Sequence, residues 1–224
     1  MFFKSFFLSL FFLCVVNVSS AQKKQLGNWL IYFGNQKINR RWNWHNEIQY
    51  RNYNFLGDIN QLLLRTGIGY NLSENNNNIL LGYGFIRSHP YDAVGNKGRV
   101  DEHRIFQQFI SKQAIQTYYL QHRFRVEERF FAEDFKVRFR YFLSVNKPLN
   151  TADLKAKTLY LSAYNEIFLN TTGAAFDRNR LYGGVGYFIK NYIKLELGLM
   201  SQMLEKGSRS QFQIIIFNNF PLSN

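Results

Sequence analysis

Between Trp42 and Phe220 the chain alternates apolar and polar residues in one strand-length run after another, and arginine crowds the polar side. Successive side chains of a β-strand point to opposite faces. Over one such run, Tyr118, Leu120, His122, Phe124 and Val126 therefore form one wall, and Tyr119, Gln121, Arg123, Arg125, Glu127 and Arg129 form the other. A chain patterned in this way folds as sheet. Its class turns on which wall faces out.

The alternation supports eleven candidate strands, near 28–34, 42–53, 60–71, 79–88, 103–112, 117–130, 135–146, 157–168, 179–190, 192–203 and 211–220. Many are longer than the roughly 5–6 residues usual for strands in soluble proteins. Turn chemistry separates them, at Asn54 to Asp58, Ser73 to Asn77, Ala132 to Asp134 and Asn191. The three prolines, Pro90, Pro148 and Pro221, fall in connections or the tail, which suits long unbroken ladders. With no linker or low-complexity tract, residues 22–224 read as one domain. A turn near 131–134 places Arg129 opposite Lys136, Glu127 opposite Arg138 and Arg125 opposite Arg140, all on the polar wall. Similar hairpins pair Gly67 with Gly84, Gly69 with Gly82, Gly184 with Gly198 and Gly186 with Glu196. Interior glycines of this kind mark either plain curvature or places where large side chains lie over the backbone.

Residues 1–21 read as a cleaved signal peptide, with Lys4, the apolar run Phe6 to Val16, and Ser19-Ser20-Ala21 before Gln22. The lone Cys14 falls inside it, so the mature chain has neither disulfides nor thiol chemistry. The formal net charge of +13 suits an anionic membrane surface or an anionic ligand. An exported chain without a basic tract or nucleic-acid motif excludes nucleic acid as the expected partner.

A soluble barrel would put Phe124, Val126, Phe139, Tyr141, Leu195 and Leu197 inside; an outer-membrane barrel puts them toward lipid. Three features favour the second. The strands match or exceed the roughly 9–11 residues a tilted membrane strand needs. Aromatic residues Trp42, Trp44, Tyr70, Tyr118 and Phe135 lie near strand ends, where a membrane-interface girdle belongs. Helical-period segments are missing, which fits a simple meander that closes on itself. The expected fold is all-β, an up-and-down antiparallel transmembrane β-barrel of ten to twelve strands, expected as a monomer with outer-membrane lipid as its partner. Counting from Trp42 gives ten strands, an even number with both termini on the inner side and the long loops 89–102 and 169–178 outside. The segment Asn28–Gly34 is then an eleventh.

These residues resemble the family catalogued as domain of unknown function 2490, uncharacterised bacterial envelope proteins. The resemblance rests on Gly27-Asn28-Trp29, the Glu47-to-Arg51 strand, the block His122 to Phe130, Arg138-Phe139-Arg140-Tyr141, Asn165-Glu166-Ile167-Phe168, and Asn179-Arg180-Leu181 before Gly183-Gly184. It spans nearly all of the mature chain. It implies an outer-membrane β-barrel of a Gram-negative envelope and no particular activity.

In such a barrel the inward set comprises Arg51, Arg65, Arg123, Arg125, Arg129, Lys136, Arg138, Arg140, Lys190 and Lys194, against Glu47, Glu127, Glu166 and Glu196. A net-basic lumen selects anions, such as a small anionic solute, or is plugged by its own ion pairs. Glu127 and Glu166 are then the counter-ions of Arg123, Arg125 and Arg138. A soluble periplasmic barrel binding an apolar ligand is the runner-up. A membrane-embedded hydrolase or acyltransferase is the third reading. It would draw on His45, His89, His103 or His122 with Ser88, Ser111, Ser144 or Ser162, but no Gly-x-Ser-x-Gly elbow occurs. The scattered histidines lack metal-ligand spacing, and Gly67-Ile68-Gly69 and Gly82-Tyr83-Gly84 lie within strands, where they cradle no phosphate. The expected function is a non-enzymatic scaffold or a narrow anion-preferring pore, without cofactor.

Overall fold

The computed structural model describes residues 26–73 and 76–222; the segment read as a signal peptide, 1–21, lies outside the described residues. Eleven strands follow one another: β1 (Gly27–Lys37), β2 (Trp42–Asn52), β3 (Ile59–Asn71), β4 (Asn77–Ser88), β5 (Val100–Ile115), β6 (Tyr118–Phe130), β7 (Phe135–Pro148), β8 (Leu159–Asn170), β9 (Phe176–Lys190), β10 (Ile193–Leu204) and β11 (Gly207–Asn218). They form one closed barrel in which each strand pairs with its neighbours in sequence.

The segment at Asn28–Gly34 is a full member of the wall, and it decides how the barrel closes. With an odd count the first and last strands run in the same direction. Strands β1 and β11 accordingly pair in parallel, from Gly27 opposite Gln211 to Gly34 opposite Asn218. The expected all-antiparallel meander holds everywhere except at this seam. Strand β1 thus begins at one end of the barrel and β11 finishes at the other, which corrects the expectation of both termini on one side. The connections 53–58, 89–99, 131–134, 171–175 and 205–206 share the first end; 38–41, 72–76, 116–117, 149–158 and 191–192 share the second.

Register follows the hydrophobic pattern. Arg129 faces Lys136, Glu127 faces Arg138 and Arg125 faces Arg140, as expected. Gly184 faces Gly198 and Gly186 faces Glu196, also as expected. In the β3–β4 hairpin the pairing is displaced: Gly67 meets Gly82, Gly69 meets Leu80, and Gly84 meets Arg65. The turn closes earlier than the glycine pattern suggests, because Leu72 N–H donates to Asn77 O and Asn77 N–H donates to Ser73 Oγ. A two-residue displacement keeps every side chain on its face, so the wall pattern survives it. The strand glycines seat large rings: a Cβ on Gly82 would meet Phe106, one on Gly186 would meet Tyr160, and one on Gly198 would meet Tyr182.

The arginine wall faces the bore. Arg125 and Arg138 are each 3% exposed, whereas Leu30, Ile48, Leu81, Phe124, Phe139, Leu161, Leu197 and Leu199 are between 42% and 60% exposed on the outside. This is the opposite of what a soluble barrel with an apolar interior requires. The aromatic set also points outward: Trp42, Trp44, Tyr118 and Phe135 are exposed, and Tyr70 packs edge-on against Trp42. The first four of the five by position, Trp42, Trp44, Tyr70 and Tyr118, lie at the second end, and Phe135 lies at the first, against Phe130.

The interior is not uniformly polar. Beside the seam, Trp29, Ile31, Tyr182, Met200 and Ile215 form a buried apolar cluster, flanked by Phe33, Tyr164 and Phe217. These residues come from β1, β8, β9, β10 and β11.

Candidate functional site

Strands β5 to β8 carry the charged side of the bore. Glu127, fully buried on β6, is its hub: Arg138 donates to it at 2.6 Å, Arg140 bonds to its other oxygen, and Arg125 and Arg104 stand at 3.5 and 3.6 Å. Glu166 on β8 accepts from Arg123 at 2.7 Å and from Arg140 at 2.5 Å, with Arg180 at 3.5 Å. Arg140 therefore joins the two carboxylates. Glu102 receives Arg104 and Arg129, the latter at 2.6 Å, and Asp177 receives Arg138 at 2.8 Å and Arg178 at 3.0 Å. Across the bore on β2 and β3, Glu47 pairs with Arg65 at 2.5 Å and stands 3.5 Å from His45. Buried ion pairs of this density persist only where several partners share each carboxylate, since removing charges from water is costly.

Arginine faces add a second layer of contact. Arg138, Arg140 and Arg180 all lie over the Phe168 ring, at 5.1, 4.5 and 4.6 Å. Arg51 and Arg180 both lie over Trp29, at 3.8 and 4.9 Å. Guanidinium groups are weakly hydrated and accept such stacking better than an ammonium would.

Every residue of the expected lumen network takes part: Glu47, Arg51, Arg65, Arg123, Arg125, Glu127, Arg129, Arg138, Arg140 and Glu166 all line the bore or its ion pairs. Two lysines of the expected inward set do not. Lys136 bonds Asp134 in the β6–β7 turn, and Lys190 sits exposed at the end of β9 near Tyr192. Sequence reasoning missed Glu102, Arg104, Asp177, Arg178 and Arg180. Strands β5 and β9 begin three residues earlier than their alternation indicates, so Glu102 and Asp177 read as loop. Within β5 the inward run Arg104, Phe106, Gln108, Ile110 mixes polar and apolar residues and blurs the period.

Among the described residues, two cavities of the bore stand out. One, of about 720 Å³, extends from the second end and is bounded by the apolar side chains of Trp29, Ile31, Phe33, Ile215 and Phe217 and by Lys112, Arg123 and Lys194. Asparagines ring its mouth: Asn43 donates to Asn35 at 2.5 Å, and Asn78 donates to Asn43 at 2.7 Å and Asn71 at 2.8 Å. The other cavity, of about 50 Å³, is lined by Arg51, Arg65, Arg104, Arg129, Arg138, Arg140, Arg178 and Arg180 with Gln61, Leu63 and Phe168. Arg51, Arg65, Arg140 and Arg180 border both cavities and so form a layer between them.

The catalytic candidates disperse. His45 pairs with Glu47, His89 with Gly98 O at 3.2 Å, His103 with Tyr83 at 2.6 Å and His122 with Tyr141 at 2.8 Å. None of these bonds involves Ser88, Ser111, Ser144 or Ser162. Ser88 accepts instead from Gln61 at 2.6 Å.

At the first end, two loops are tied together. Asp58 accepts from Lys97 Nζ at 2.7 Å and from Tyr91 O–H at 3.0 Å. Partial burial works against the Asp58 charge, but the bonds from Lys97 and Tyr91 outweigh it and hold its carboxyl below the ordinary range. The same bond raises Lys97 above the usual lysine range.

Comparison with curated proteins returns no match, and neither does comparison with solved structures. A family model described as "Protein of unknown function (DUF2490)" matches residues 26–213, from the start of β1 into β11, and this chain belongs to that family.

Proposed function

We propose that the protein is a non-enzymatic outer-membrane β-barrel, closed across its middle by the arginine–carboxylate layer and presenting an anion-preferring vestibule at its second end. The observation that carries this reading is the pairing of an outward apolar wall with a bore in which Arg51, Arg65, Arg140 and Arg180 separate two cavities. An apolar surface encircling a soluble barrel would far exceed the few hundred square ångströms of patch a monomer tolerates in water. Between the two cavities the bore is occupied by these four arginines and the carboxylates that bond Arg65, Arg140 and Arg180.

Two experiments test the parts separately. Fractionated cells expressing the full chain should hold the protein in the outer membrane, and carbonate washing should leave it there; release without detergent overturns the membrane reading. In planar bilayers the wild-type barrel should be silent, while removing Arg125 and Arg140 together should open an anion-selective conductance. Steady conductance by the wild type means an open pore, and a silent double variant removes transport from the proposal. A cell lacking the protein should keep its lipid composition, as a barrel without lipid-modifying activity requires.

A further inference from the structure

The structure assigns the small arginine-lined cavity as a binding site for a tetrahedral oxyanion, a phosphate or a phosphate-bearing headgroup. This rests on the lining of the bore alone, not on where the barrel resides or whether it conducts. Eight guanidinium groups border the cavity, and among the described residues the carboxylates that bond them are five, Glu47, Glu102, Glu127, Glu166 and Asp177. Four of the five are shared between two or more arginines, so a positive excess surrounds the cavity.

The excess has an address. Arg51 has no carboxylate within 4 Å among the described residues; its N–H groups reach the neutral oxygens of Gln49 and Gln61, the latter at 2.7 Å. Arg180 donates to Gln202 at 2.9 Å and meets Glu166 only at 3.5 Å. Both rest on the same Trp29 ring, and both border the cavity. Two further members of the lining, Arg65 and Arg140, keep a buried Nε with no hydrogen-bond acceptor among the described residues. An unsatisfied buried donor is costly, more so on a charged group, so two arginines with a free Nε and two more held mainly by neutral glutamines describe, around one cavity, a receptor for negative charge.

Shape and chemistry narrow the ligand. A space of about 50 Å³ is a few times the minimum of roughly 10–15 Å³ that admits one water, which suits a single tetrahedral ion and not a sugar or nucleotide. Guanidinium forks match pairs of oxygens on one centre, so phosphate or sulfate fits where chloride would use single bonds. Because Arg51 and Arg180 also border the larger cavity, an ester carrying its phosphate here could extend its remainder past them into the vestibule with its apolar wall.

The test is titration calorimetry of the refolded full barrel in detergent micelles, with inorganic phosphate in one arm and a short-chain phosphatidic acid in the other. Saturable binding in the first arm identifies the free ion, in the second the headgroup; either supports the site. R51Q and R180Q should each weaken binding about tenfold or more, the loss expected for one charge-assisted bond. R99Q, in an exposed loop, should bind as the wild type does. Should a lumen variant fail to refold, the wild type still decides: phosphate should raise its unfolding temperature where sodium chloride of equal ionic strength does not. Absence of binding in both arms overturns the assignment, as does binding that R51Q and R180Q leave unchanged.

Discussion

The two sides of the bore are held by different physics. On the β5–β8 side, long antiparallel strands present arginines and glutamates that pair with one another from strand to strand along the wall. On the seam side, β1, β9, β10 and β11 turn Trp29, Ile31, Tyr182, Met200 and Ile215 inward, and only eight residue pairs of parallel ladder join the first strand to the last. Parallel pairing is slightly weaker per residue than antiparallel. Apolar packing behind the seam supplies stability where backbone pairing is shortest, and it leaves the charged wall to define the closure of the bore. One side is thus adhesive and the other electrostatic.

The charged wall should be the more fragile to a single change. Glu127→Ala removes the shared partner of Arg104, Arg125, Arg138 and Arg140, leaving Arg125 with no carboxylate within 4 Å among the described residues and the other three with one fewer. The expected cost is about 3–5 kcal/mol, read as loss of the heat-modifiable folded band on gels and a lower urea midpoint for refolding in micelles. A loss of unfolding free energy below about 1 kcal/mol would mean that water already screens this wall.

On the seam side, Ile215→Ala should cost about 2–5 kcal/mol through the cavity it leaves beside Trp29 and Met200. Its signature differs from that of Glu127→Ala: the loss should be insensitive to salt. Equal salt dependence of the two variants would erase the distinction between the sides.

Gly198→Ala sharpens the same comparison at smaller scale. Its Cβ would fall against Tyr182 and the Gly183 carbonyl, so the ring that lies flat on the seam-side wall must move. Overpacking of this kind costs about 1–3 kcal/mol, whereas Gly183→Ala on the outer face meets open space and should be nearly silent.

The difference between the sides also explains what the sequence discloses. Strands β6 and β7 alternate cleanly because one face meets charge and the other does not, and their register follows from the pattern of Arg125, Glu127, Arg138 and Arg140. Strand β1 is apolar on both faces, Trp29, Ile31 and Phe33 inside and Leu30 and Tyr32 outside, so period two carries no orientation there. The parallel seam has no local signal, because it joins residues some 184 positions apart, as Gly27 and Gln211 are. The oxyanion cavity was hidden for a related reason. Arg51 is separated from Arg180 by over half the chain, and only closure brings both onto Trp29.

The smallest effect concerns the end of the seam. Loop 53–58 lies over it: Phe55 packs on Phe212 of β11, and Phe55 O accepts from Asn28 of β1 at 3.3 Å. The same loop is tied to loop 89–99 through Asp58, which accepts from Lys97 and Tyr91. Because the Asp58 carboxyl is held below its ordinary value of 3.8, the tie contributes fully above that pH and is lost as pH falls through the depressed value. Lys97 behaves in the opposite sense: raised above its ordinary 10.5, it contributes fully below that pH and is lost as pH rises through its folded value. Between those limits the seam end should be closed. Hydrogen exchange at Asn28 and Trp29 should therefore quicken below about pH 4, while exchange in β6 and β7 follows only the intrinsic pH dependence of amides. Asp58→Asn should show the quickened exchange already at neutral pH. If Asn28 and Trp29 exchange in that variant as in the wild type, the loop does not guard the seam, and the apolar packing behind it holds the closure unaided.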